Sequence, residues 1–147
     1  MSLRTSSRLA LSCLAATIVA ASLASCSSDL LNPVTHTWSL ESIREVPLPD
    51  TIPNTSAVIV ITSGTGTTNS DGNYTFTFSG TTDGVQGVVA SDHGHWSINS
   101  SEFLFRSANG IPDYIGALNT GSIRVSVAGQ VVHSTTQTID MVFSQAP

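Results

Sequence analysis

In the run "DHGH", Asp92, His93 and His95 are the residue types that bind a transition metal. Neutral imidazoles two apart on a strand face the same way, and with a carboxylate they could hold Zn²⁺ or Cu²⁺. Gly94 between them reads as a turn, and His36 and His133 stand alone, so a polar hairpin accounts for the run and no metal is assigned. The run "NSDGN", Asn69 to Asn73, places oxygen-bearing side chains at alternate positions, as a calcium loop does. Its twelfth position is Gly80, where an EF-hand needs a bidentate Glu, and a hairpin tip explains the composition better. Nucleophilic catalysis needs a Ser or Cys beside a base and an orienting acid. No G-x-S-x-G, phosphate-binding loop or dinucleotide fingerprint occurs, and "GTG" at 64–66 reads as two glycines in a Ser/Thr loop. Two carboxylates across a cleft could hydrolyse a glycoside, but ten scattered acids single out no pair. No catalytic residue, enzymatic activity or cofactor is expected.

Cys26 is the remaining reactive side chain. Arg4 and Arg8 open the chain, and Leu9 to Ala24 is a run of 16 uncharged, mostly apolar residues. A membrane-spanning helix needs about 20; a charged start, a short apolar run and a small-residue exit read as a secretory signal peptide. The exit "LASC", Leu23 to Cys26, resembles the lipobox of bacterial lipoproteins. That resemblance implies cleavage before Cys26, a diacylglycerol on its thiol and an acyl chain such as palmitate on the new amine. Cys13 would be discarded with the signal, so no intrachain disulfide can form. Several acyl chains, at about 0.8 kcal/mol per buried methylene, anchor durably. Ser27 stands where inner-membrane retention signals of this class carry Asp, which favours the outer membrane. The organisation expected is a signal peptide over 1–25, a lipidated cysteine and tether over 26–35, and one β domain over 36–147.

The mature chain would have 122 residues, enough for one core without staples. It keeps all ten acids but only Arg44, Arg106 and Arg124, a net charge of −7 with no lysine. Nucleic acid and anionic lipid headgroups both need clustered Lys and Arg, so neither is expected as a partner. The membrane is expected as a partner through the lipid on Cys26 alone.

The rest reads as strands. In "NYTFTFSG", Tyr74, Phe76 and Phe78 point one way and Thr75, Thr77 and Ser79 the other. Asp71-Gly72 before it reads as a type I′ turn. "HTWSLESIREV" aligns Trp38 with Leu40, and Ile43 breaks the parity as a bulge would. "SAVIVIT", "VQGVVAS" after Asp83-Gly84, "HWSIN", "EFLFRS", "DYIGAL", "SIRVSVA" and "QTIDMVF" complete nine candidates. "GQVVHS" is expected to extend one of the last two strands. Pro47, Pro49 and Pro53 make residues 46–54 a loop or edge. Any helix should be a short turn near Leu30–Asn32 or in this Pro-rich loop.

Consecutive strands with tight turns predict an all-β, antiparallel up-and-down barrel of eight to nine strands, with a β-sandwich as the alternative. Trp38, "DGNYTFTFSG" at 71–80, "GHWSI" at 94–98 and "FLF" at 103–105 resemble the lipocalin-like domains of bacterial lipoproteins. The resemblance implies that Trp38 closes one barrel end and that Gly94 and Trp96 open a mid-barrel strand. His36 departs from it, since many lipocalins carry Gly there. Trp38, Tyr74, Phe76, Phe78, Trp96, Phe103 and Phe105 are then candidates to line a site for a small apolar ligand. An eight-stranded barrel can hold one small ligand or be filled by its own side chains. In the second case the domain is a solid-cored module for contact or structure in the envelope, marked by an exposed apolar patch or an unprotected edge strand.

Overall fold

The computed structural model describes residues 35–99 and 102–147. Their strands are β1 (His36–Ile43), β2 (Val46–Pro47), β3 (Asp50–Thr51), β4 (Ile59–Thr68), β5 (Asn73–Thr82), β6 (Val85–Asn99), β7 (Glu102–Ser107), β8 (Tyr114–Asn119), β9 (Ser122–Ala128) and β10 (Thr138–Gln145). Neighbours pair antiparallel in the order β2-β1-β10-β9-β8-β7-β6-β5-β4-β3, and β1 also pairs with β4. That last pairing closes eight strands into an up-and-down barrel, with β2 and β3 as short additions from the proline-rich segment.

Period-two alternation builds the interior. In β5, Tyr74, Phe76 and Phe78 are buried and Thr75 is exposed. In β1 the register shifts between Leu40 and Ser42, a bulge that brings Ile43 back inside with Trp38 and Leu40.

Four local expectations are corrected. "VQGVVAS" and "HWSIN" are halves of β6, a single 15-residue strand, and "DHGH" lies in its middle rather than at a hairpin. Gly94 is the residue at which β6 changes neighbours, pairing with Tyr74 of β5 and Ser107 of β7. A Cβ there would lie 2.0 Å from the carbonyl oxygen of Arg106, so only glycine lets the three strands meet. "GTG" at 64–66 is part of β4 and not a loop. Gly64 and Gly66 face inward, where a Cβ on Gly66 would sit 2.6 Å from the Phe76 ring, so their small size makes room for aromatics.

Asp71-Gly72 belongs to a four-residue connection, closed by Gly72 N–H to the Asn69 carbonyl and by Asn73 N–H to Asp71 Oδ1. The two-residue type I′ geometry occurs at Asp83-Gly84, both with positive φ. "GQVVHS" extends neither strand; Gly129–Val132 form one turn of 3₁₀ helix, ended by His133 in the left-handed region. Leu30–Asn32 lie outside the described residues.

At one end, the foot of the barrel, β1 enters beside Thr68, near the Asn69–Asn73 connection. The opposite end carries the Asp83-Gly84 turn and the 3₁₀ turn. There the wall is incomplete. β7 and β8 have six residues each, and β7 pairs with β6 only from Gly94 to Asn99. From Val85 to His93, β6 has β5 on one side and no strand on the other.

Candidate functional site

Six of the seven aromatic candidates meet inside the barrel. Trp38, Tyr74, Phe76, Phe78, Phe103 and Phe105 are all buried. Trp96 sits half-buried at the foot, its indole N–H donating to the Asn69 carbonyl at 3.0 Å and its ring 5.4 Å from that of Phe103. Phe76 is the hub, with ring centroids 5.3 Å from Tyr74, 5.3 Å from Phe105 and 5.1 Å from Phe143. Tyr114 stacks on Phe105 at 5.4 Å. These are the separations of rings in direct contact. Tyr114 and Phe143 belong to the same cluster and were missing from the sequence-derived set. Trp38 packs over the foot and donates its indole N–H to the buried Thr68 hydroxyl at 3.1 Å. His36 is buried against Trp38, with ring centroids 5.7 Å apart.

One charged group lies among these rings. Asp92 is 1 % exposed. Its Oδ2 accepts hydrogen bonds from the Tyr74 and Tyr114 hydroxyls, both at 2.6 Å. Its Oδ1 accepts from the Ser107 hydroxyl at 2.6 Å and the Asn109 side-chain amide at 2.8 Å. Four donors thus saturate the carboxylate, the condition under which a buried charge is tolerated. Burial pushes the Asp92 carboxyl upward, but the hydrogen bonds from Ser107, Tyr114, Tyr74 and Asn109 together outweigh it, and the group ends below the ordinary carboxylate range. Burial, together with the Asp92 contact, raises both tyrosine hydroxyls well above their usual range. They are neutral donors, unsuited to act as bases. The cluster joins β5, β6, β7, β8 and the β7–β8 loop; Ala108 N–H to the His93 carbonyl and Asn109 N–H to Ser107 Oγ fasten that loop further.

The same alternation takes "DHGH" apart as a ligand set. Asp92 points into the barrel, whereas His93 and His95 are exposed on its outer face. Among the described residues, no group of three or more His, Cys, Asp or Glu is placed to hold a metal ion.

Beside the cluster, the gap in the wall forms an open groove of about 330 Å³. Val88 to Ser91 of β6 form one wall, Asn109 and Ile111 another, and Gln130, Val131 and His133 the third. None of the seven aromatic candidates lines it. Asn109 links groove and cluster, since its side chain bonds to Asp92. Comparison with protein-family models, curated proteins and solved structures finds no match to this chain.

The cluster had a signal in the sequence. In "HWSIN" period-two alternation puts Trp96 and Ile98 on one face; carried back two residues at a time, that face includes Gly94 and then Asp92. The presumed turn at Gly94 interrupted the count. Ser107 and Asn109 carried no local signal, because their role depends on where the β7–β8 loop folds.

Proposed function

We propose that this chain is a lipoprotein of the bacterial outer membrane, anchored through Cys26, whose barrel has a solid core and which works by contact with another protein at its surface. The observation that carries this is the packing of eight aromatic residues, Trp38, Tyr74, Phe76, Phe78, Phe103, Phe105, Tyr114 and Phe143, against one another through the barrel. A carrier of a small apolar molecule needs room among these side chains, and their centroid separations correspond to direct contact. The unpaired stretch of β6 supports the same reading, with Val85 74 % and Val88 65 % exposed. Edge strands are usually blunted by charge, proline, bulges or cover; "VQGVVAS" has neither charge nor proline, and its one bulge lies at Val89.

The chain enters the barrel at the foot, so an anchor on Cys26 would tether that end and leave the groove end for a partner. The test is native mass spectrometry of the mature lipoprotein released from membranes into detergent. The mass expected is that of the chain from Cys26 with its acyl groups and nothing more. A further small-molecule mass, lost on organic extraction, would replace this function with ligand carriage.

A further inference from the structure

The groove beside β6 has the chemistry of a missing strand. Trp96 N–H bonds to the Gly72 carbonyl on the β5 side, whereas the His93 carbonyl is taken by Ala108 on the opposite side. Antiparallel pairing alternates inward and outward backbone groups. Counting back from His93, the N–H and C=O of Ser91 face the groove. Counting forward from the Asp83-Gly84 turn, whose closing pair is Thr82 and Val85, those of Gln86 and Val88 face the same way; the register shift against β5, where Val88 pairs with Ser79 and Ala90 with Phe78, leaves Val89 as the extra residue of a bulge and reconciles the two counts. Among the described residues, no turn or loop backbone hydrogen bond reaches Gln86, Val88 or Ser91, and β5 is the one strand they pair with. Extended backbone is the complement of such an edge.

We propose that this groove receives one extended peptide segment of another envelope protein, which adds as a strand along β6 from Gln86 to Ser91. This rests on the protein-contact function proposed above. The far wall is formed by Ile111, Gln130 and Val131. A second copy of this chain would bring its own β5 behind its β6 and meet that wall, and the two copies would each carry a net charge of −7 after processing. The lining has hydrogen-bonding side chains on Ser91, Asn109, Gln130 and His133, with no Asp, Glu, Lys or Arg, beside Val88, Val89, Ala90, Ile111 and Val131. It therefore suits a segment that is uncharged and free of proline at its centre, with small apolar side chains on alternate positions. The acidic chain around it favours Lys or Arg in the flanks. The wall is prepared for this, because Asn109 is held by Asp92 and Ser107 before any partner arrives.

The test pans phage-displayed random peptides of about 12 residues against the mature lipoprotein in detergent micelles. Synthetic copies of the enriched peptides are then titrated by fluorescence anisotropy. The expected result is an enriched set with an uncharged, proline-free run of about five residues. Val88→Glu and Gln130→Trp should each weaken binding about tenfold or more, one by charging the edge and the other by filling the groove. Ile115→Glu, at an exposed site on β8, should leave it within about twofold. Bound peptide should slow amide exchange at Gln86, Val88 and Ser91. No enrichment, or binding indifferent to both groove variants, overturns the proposal. So does a concentration-dependent dimer that Val88→Glu dissolves, since a second copy would then be the occupant. Failure here with a clean mass in the native spectrum leaves the solid-core function standing; a retained small molecule removes that function whatever the peptides do.

Discussion

Asp92→Asn keeps the side chain's shape and removes its charge. Two effects oppose each other. Replacing a buried charge by a neutral group relieves desolvation and can be neutral or stabilising. Against this, four charge-assisted hydrogen bonds of 2.6 to 2.8 Å become neutral ones. A bond to a charged group contributes about 1.5–3 kcal/mol and a neutral one about 1. The direction of the Asp92 shift decides between them. Its carboxyl lies below the ordinary 3.8, so the folded protein favours the ionised form more than water does, and neutralising it costs stability. An asparagine oxygen can still accept from both tyrosines, while at the new amide Ser107 must turn its hydroxyl to accept and Asn109 must present its side-chain oxygen in place of its amide nitrogen. The net loss should be about 2–3 kcal/mol, or a fall in Tm of roughly 8–15 °C for a domain of this size. Thermal unfolding of the mature protein by circular dichroism measures it. The sign of the pH dependence follows. A carboxyl depressed in the folded state stabilises above its unfolded value and loses that contribution as pH falls through the folded value. The gap between wild type and Asp92→Asn should therefore be constant from about pH 5 to 8 and narrow below about pH 4. A variant that melts at or above the wild type, or a gap that widens on acidification, would refute the reasoning.

Gly94→Ala should destabilise by about 3 kcal/mol or prevent folding, because the added Cβ meets rigid backbone at Arg106. Gly87→Ala, in the same strand with nothing within 4 Å, should be neutral or slightly stabilising, and paired urea titrations compare the two. Trp38→Phe should cost about 2 kcal/mol through the lost indole contact and the stranded Thr68 hydroxyl, read as a lower urea midpoint with an unchanged slope. Cys26→Ser should abolish palmitate labelling and leave the precursor uncleaved or the protein released from membranes; normal labelling would remove the anchor from the proposed function.

What the chain declared by itself was periodicity. Alternating aromatic and hydroxyl residues in "NYTFTFSG", the parity break at Ile43 and the prolines of 46–54 specified strands, a bulge and an edge, since each follows from local sterics. Tertiary structure decided what glycine and aspartate mean. Gly64, Gly66 and Gly94 look like turn residues along the chain. They proved to be strand positions where a ring or a neighbouring backbone approaches too closely for a Cβ. Asp92 looks like one acid among ten. It became the centre of the core because closing the barrel brought Tyr74, Tyr114, Ser107 and Asn109 onto it from four other segments. Likewise "VQGVVAS" reads as an ordinary strand, and only the shortness of β7 and β8 leaves its edge without a neighbour. Local pattern fixes which face a residue presents; which residues occupy the space facing it depends on pairings between distant segments, and those exist only in the folded barrel.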